Sequence, residues 1–490
     1  MKLIKRQRWR NRWVGPITAS FMCVALCIGP ATCSSGSTAG TSSGGGVWPT
    51  YHGNLSRTGY TTDTSINPQN ASQLQQSWHV SVTAPVSAQP IVNDGVVYWG
   101  DWRGYIHATT GSGKALWSTS LGTTPKPPGC IYDLARQGIL STPTIGMMGG
   151  RQVIWAGGGR GQMVALDASS GKILWQTDLR NHPGNSIWSS PAYYNGSIYV
   201  GVASFQGCPP VFGSVVRLNA ATGAIQAVLK FASLVSAKCR ELGAWSSPAV
   251  DPAENAIFIG TSNDFCNSMY QDAILRLNPS TLRISSLWQV PRSQHPFDSD
   301  FGATPMLFSS TIGGVTRQLV GAVNKNGVYY VLNRDDLGAG PVWTFVAAKA
   351  SALAAQACGN VDAISSSAWA GPGSPVMVAG LTNSRSSCIG TLAALNPSTG
   401  QPEWQVRLPG SVEGALTEVP GIVAVGTGPT VELISSANGQ VLFSYTEATK
   451  PAPTRPVYGA PTGEFWAPPT VSGNALYVAN EDGSLRAFSP

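Results

Sequence analysis

Val164-Ala165-Leu166-Asp167-Ala168-Ser169-Ser170-Gly171-Lys172-Ile173-Leu174-Trp175 is the stretch whose reading decides the fold. An apolar run, a polar turn ending in Gly171 and a short run closing on Trp175 make strand, tight turn and strand, the signature of a β-hairpin. The phrase returns at 216–223, at 275–281, and at 392–400 before Trp404, with weaker copies at 106–117, 330–343 and 431–443. The copies stand roughly 50–60 residues apart, within or slightly above the spacing of repeats that build propellers and solenoids.

A fuller unit adds a Ser/Thr-x-Pro lead-in and a strand ending in an aromatic-x-Gly, which makes four strands per unit. Lead-ins lie at 87–90, 141–143, 189–191, 246–248, 303–305 and 467–469, with degenerate forms near 365–368 and 413–416. The expected fold is therefore all-β, an eight-bladed β-propeller over 48–490. The last unit runs out at 485–488, one strand short. Residues 74–80, with Trp78 in the position of Trp117 and Trp175, supply the missing outer strand and close the ring, which removes sheet edges.

Composition agrees with a large, turn-rich, well-packed body: 42% hydrophobic residues, 11% charged ones and 16 Trp. The formal charge of +7 is concentrated at the start, in Lys2, Lys5, Arg6, Arg8, Arg10 and Arg12, and no acid precedes Asp63. The rest is nearly neutral, so no electrostatic footprint for nucleic acid exists. The basic run and the apolar stretch 14–28 read as a secretory signal over 1–33, too short and too interrupted by Gly15 and Pro16 for a membrane span. Residues 30–33 carry the small residues of a lipoprotein cleavage box but lack the usual aliphatic residue three before Cys33. Ordinary cleavage and lipid attachment at Cys33 both stand, and a lipid there would be the one link to a membrane. Residues 34–47 form a flexible Ser/Gly/Thr-rich linker. The expectation is an exported monomer, extracellular or in the cell envelope.

Beyond the leader stand Cys130, Cys208, Cys239, Cys266, Cys358 and Cys388. An even count in an exported chain favours disulfides, with the pairing left open. No C-x-x-C-H or C-x-x-C occurs, which excludes a built-in haem and a structural zinc of those types. Strand direction alternates within a blade, so the loops after the second and fourth strands share one face. All six cysteines map to those loops, and so do the polar candidates.

Asp298 and Asp300, two apart in His295-Pro296-Phe297-Asp298-Ser299-Asp300, can share a cation or divide into base and ligand; the plain alternative is a solvated acidic loop. Lys325 lies in Asn324-Lys325-Asn326-Gly327, where a lone lysine is most often a surface residue. Trp245 in Trp-Ser-Ser-Pro offers a planar floor, yet Trp188 precedes the same Ser-Ser-Pro, so at least one of the two is packing. Asn263 offers an amide oxygen and Arg136 a guanidinium suited to carboxylates.

The units resemble the pyrroloquinoline-quinone (PQQ) repeat of eight-bladed quinoprotein dehydrogenases over about 48–490, and the group similar to polyvinyl-alcohol dehydrogenase above all. The stretch Trp48-Pro49-Thr50-Tyr51-His52-Gly53-Asn54, with Arg57-Thr58-Gly59-Tyr60, Ile66-Asn67 and Trp78, resembles the start of that family's mature domain. The resemblance implies Asp298 as general base, Lys325 as hydrogen-bond partner of the reactive quinone oxygen, Trp245 and Arg136 as cofactor contacts, and Asn263, Asp298 and Asp300 around Ca2+. It implies an alcohol substrate, small or polymeric, and a separate electron acceptor, since no haem motif is present. Two departures stand out. The family's adjacent cysteine pair is absent, leaving only Cys130, and the metal-binding glutamate expected after Val200-Gly201 is missing, leaving the amide of Gln206. A cofactor-free scaffold lipoprotein of outer-membrane assembly shares the repeat, so the second expectation is a tethered propeller that binds a ligand or partner without chemistry.

Overall fold

The computed structural model describes residues 46–127, 130, 136–205, 207–295, 299–348, 363–384, 387–448 and 463–490, with backbone alone at 381–384 and 387–388. Ile91–Asn93, Val96–Gly100, Tyr105–Thr110 and Ala115–Ser120 pair antiparallel in chain order as the first blade. Blades two to seven begin at Thr144–Met148, Ala192–Tyr194, Ala249–Asp251, Met306–Ile312, Ala368–Trp369 and Thr417–Val419. The eighth blade joins Thr470–Ser472, Ala475–Ala479 and Ser484–Ser489 to Gln75–Ser81, with Trp78 opposite Ala487 and Val80 opposite Leu485. The expected eight-bladed ring, closed by an N-terminal strand, is what the chain forms.

The recurring Gly and Trp work between blades rather than within them. Trp117 donates its Nε1–H to Ala168 O of the next blade's turn (3.0 Å), and a Cβ on Gly171 would lie 2.5 Å from the Trp117 ring. Gly171 therefore supplies both the left-handed turn, at φ +69°, and the room for its neighbour's indole. Trp175 with Ala220 and Gly223, and Trp343 with Pro397 and Gly400, repeat the contact. Asp167 caps the turn by accepting from the hydroxyls of Ser169 and Ser170, which with their N–H groups hold its carboxyl below the usual range.

The lead-in hydroxyls form a belt around the axis. Gln89 N donates to Thr142 Oγ1 (2.9 Å), Thr142 N to Ser190 Oγ (3.0 Å), and Ser190 N to Ser247 Oγ (2.9 Å). Ser247 N then donates to Thr304 Oγ1 (3.0 Å) and Thr304 N to Ser366 Oγ (2.9 Å). Each hydroxyl satisfies a buried N–H of the preceding blade, and leaving such a group unmet costs about 1–3 kcal/mol.

Below this belt the N-terminal stretch threads the inside of the ring in blade order. The carbonyls of Trp48, Pro49, Leu55, Ser56, Thr58 and Gly59 accept from the N–H groups of Val92, Ile145, Val250, Leu307, Trp369 and Glu418. Arg57, fully buried, donates to Pro248 O (2.9 Å) and Pro191 O (3.3 Å). Burial lowers its pKa to about 10 and that of His52 to about 4.

Candidate functional site

Each lead-in runs beside the second loop of its own blade. Ser262 N donates to Gly243 O in blade four and Lys325 N to Asp300 O in blade five, both at 3.0 Å. This pairing carries Asn263 and Lys325 to the loop face next to Trp245 and Asp300, residues brought together from two blades.

Asp300 is the hub. It is buried; its Oδ1 accepts from Asn263 N (2.8 Å) and its Oδ2 from Trp245 Nε1 (3.0 Å). Lys325 Nζ lies 3.5 Å from the same Oδ2 and 5.4 Å from the Trp245 ring centroid, a charge-assisted contact and a cation–π contact together. Beneath the indole is bare backbone: a Cβ on Gly302 would stand 2.1 Å from Trp245 Cη2. Trp245 is thus fixed along its edge by Asp300 and supported on its plane by Gly302. The arrangement presents a rigid aromatic plane with a cation at its rim, which suits a flat, electron-rich, anionic group.

The loop of Asn263 is built to hold still. Asp264, fully buried, accepts from Cys266 N (2.8 Å) and Ser268 N (3.0 Å). Cys266 is joined to Cys239, and Cys130 to Cys208, with Cα separations of 5.0 and 5.6 Å. Of the six cysteines, four are thereby paired; Cys358 and the side chain of Cys388 lie outside the described residues. Cys239, Asp264 and Cys266 also bring donor atoms within 4.8 Å of one another, but the disulfide removes the thiolates a metal would need there.

Asp298 and Gln206 lie outside the described residues. The chain entering Asp298 is anchored at His295, whose Nδ1 is 3.2 Å from Asp272 Oδ2 and whose Nε2 is 2.5 Å from Val290 O. The chain leaving it is anchored at Ser299, whose carbonyl accepts from Asn324 Nδ2. Arg136 is exposed on a short strand paired with Thr124–Pro125, and no hydrogen bond or ion pair joins it to the Asp300 hub among the described residues. Trp188 stacks on Phe205 (5.9 Å, 13°) and meets Trp102 edge-on (6.5 Å, 85°), so it is a packing residue.

Sequence reasoning missed Gly302 and Glu241. The signal for Gly302 is its register: it stands three residues before Pro305, as Trp245 and Trp188 stand before Pro248 and Pro191. Glu241 is buried on the same face and accepts the hydroxyl hydrogen of Ser204.

A family profile described as outer membrane protein assembly factor BamB matches residues 6–224 and 102–265, together more than half the chain. With the eight blades already in place, this assigns the repeat. The chain belongs to the PQQ-repeat family of β-propellers. Within that family it is 27% identical to a polyvinylalcohol dehydrogenase of Sphingopyxis sp. over 373 residues, covering 64% of this chain and 55% of the relative. A polyvinylalcohol dehydrogenase of Pseudomonas sp. is 23% identical over 367 residues, covering 64% and 56%. The chain thus spans about half the length of these relatives. The crystal structure of quinohemoprotein alcohol dehydrogenase from Comamonas testosteroni superimposes with a TM-score of 0.69 at 17% identity, covering 92% of this chain and 81% of that one, which shows the shared fold.

Proposed function

We propose that the protein is an exported PQQ-dependent dehydrogenase that oxidises alcohol groups, those of polyvinyl alcohol or other secondary alcohols, and passes electrons to a separate acceptor. The observation that carries this reading is the convergence of Trp245, Asn263 and Lys325 on the buried Asp300. Two disulfides among the face loops support export, because such bonds persist in oxidising compartments.

The residues present fit a flat quinone: the bare backbone of Gly302 leaves the Trp245 indole room to lie as a plane. PQQ, when bound, supplies the acceptor for the two electrons of the alcohol. Trp245 would hold it by stacking, and Arg136 would pair with a cofactor carboxylate. Lys325 would offer its N–H groups and positive charge where negative charge develops on the acceptor. Asp298 would remove the substrate hydroxyl proton. Asn263, Asp298 and Asp300 would offer oxygen atoms to Ca2+, the hard donors that cation takes. Asp300 does double service in this reading, since the same carboxylate orients Trp245 and Lys325.

A second reading, a cofactor-free tethered propeller that binds a ligand or protein partner, is favoured by the third-blade loop 204–207, which carries no acidic residue, and by the assembly-factor description of the family profile. The two part on one measurement. The purified chain incubated with PQQ and Ca2+ is expected to show bound-quinone absorbance and dye reduction with secondary alcohols, lost in Asp298→Asn and Lys325→Ala. No bound quinone, or turnover intact in both variants, would overturn the enzyme reading.

A further inference from the structure

The lead-ins share a register that reaches beyond the tryptophans. Seven residues before the lead-in proline stand Arg136, Glu241 and Asp298, in blades two, four and five. The register is structural: Gly243 and Asp300, each five residues before its proline, accept the same backbone bond from Ser262 and Lys325. Arg136 and Asp298 are candidates of the proposed site, and Glu241 stands at the same sequence register in a blade between theirs.

Glu241 is 7% exposed. Its Oε1 accepts from Ser204 Oγ, and a Cβ on Gly207 would lie 3.4 Å from its Oε2, so the carboxylate is directed at the loop that follows the second strand of blade three. Ser204 is the counterpart of Asn263, each three residues after the glycine of its second strand, Gly201 and Gly260. The segment bearing Glu241 is also bound to the loop of Asn263: Gly243 N donates to Ser262 Oγ (2.8 Å), and Cys239 is joined to Cys266. The same few residues therefore touch both loops. Asp300, for its part, has its charge matched by Lys325, so a divalent cation beside Asn263 needs a further carboxylate.

We propose that Glu241, reaching across from the lead-in of blade four, supplies the carboxylate of the Ca2+ site that the third-blade loop lacks. The proposal rests on the reading of the face as a cation- and PQQ-binding site. A buried carboxylate beside a hydroxyl oxygen offers the hard oxygen donors that Ca2+ takes.

The test is isothermal titration of the full chain with Ca2+, with and without PQQ, alongside melting in chelator. Glu241→Gln keeps an acceptor for Ser204 and removes the charge. Ca2+ affinity is expected to fall at least about tenfold, with the melting temperature in chelator unchanged. Wild-type affinity in Glu241→Gln overturns the proposal and leaves the enzyme reading standing. A wild-type chain that takes up no Ca2+ under either condition overturns both. Should Glu241→Gln melt early in chelator, Glu241→Asp replaces it, keeping the charge but shortening its reach: weakened Ca2+ binding supports the proposal, and unaltered binding overturns it.

Discussion

Trp188-Ser189-Ser190-Pro191 and Trp245-Ser246-Ser247-Pro248 are one tetrapeptide in two consecutive blades, with opposite fates. Their serines do the same work in the hydroxyl belt. Their indoles do not. Trp188 packs against Phe205 and Trp102 in an apolar cluster with Leu140 and Ala84. Trp245 lies on Gly302, bonds Asp300 and faces Lys325. The difference comes from the following blade: at the same register Trp188 is followed by Trp245, whereas Trp245 is followed by a glycine. The Trp245 indole can lie over the backbone of the following blade because Gly302 carries no side chain there. A site on a repeat scaffold is thus made by one small residue in the next unit.

The contrast breaks most directly through the indoles. Trp245→Ala is expected to weaken PQQ binding about 100-fold, the loss of one stacked aromatic face, while Trp188→Ala changes it less than about threefold. A titration of bound-quinone absorbance reads both, and equal effects would end the distinction. Next in size, Asp300→Asn should cost about 1–3 kcal/mol in urea unfolding, because it removes the charge beside the partly buried Lys325. Its counterpart on the packing side is Ser87→Ala, which strips Trp102 Nε1 of its partner at 2.8 Å and should cost about 1 kcal/mol without altering cofactor affinity. Gly302→Ala sharpens the comparison further. Its added methyl collides with the Trp245 ring, so PQQ affinity should drop about tenfold while the fold persists, as judged by melting temperature.

The smallest effect is a control distant from both tryptophans. Glu418, buried against the N-terminal stretch, has its pKa raised to about 8 by desolvation. The folded state keeps the proton that the unfolded chain releases, so the contribution of Glu418 to stability is full below about pH 4.5 and is lost as pH rises towards 8, by up to roughly 1 kcal/mol per unit. Glu418→Gln should flatten that slope in urea titrations and leave PQQ binding untouched. An unchanged slope would remove Glu418 from the account.

Much of the ring was legible because its signals are local. The hairpin phrase, the lead-in serines and the missing last strand were each read from neighbouring residues, and Gln75–Ser81 takes the expected place in the eighth blade. Asp300 was legible as half of an Asp-x-Asp pair, but its contacts were not. Trp245 stands 55 residues before it and Asn263 37 before it, in another blade, and nothing in their own phrases points to a common partner. The threading of 48–60 through the ring was invisible for the same reason, since the six carbonyls that pair with the ring each meet a different blade. Cys130 and Cys208 are 78 residues apart, a pairing that only ring geometry selects.

By itself the sequence determined the blade period, the closure of the ring and the face on which the loops gather, because alternation along a strand and the chemistry of a tight turn depend on adjacent residues. Only the tertiary structure decided which of two identical tetrapeptides turns its indole to Asp300 and Lys325 and which joins an apolar cluster, and that the Glu241 carboxylate meets Ser204. Those outcomes depend on contacts between blades. Such contacts come from packing after the ring has closed, where a missing methyl at Gly302 counts for more than the four matching residues before it.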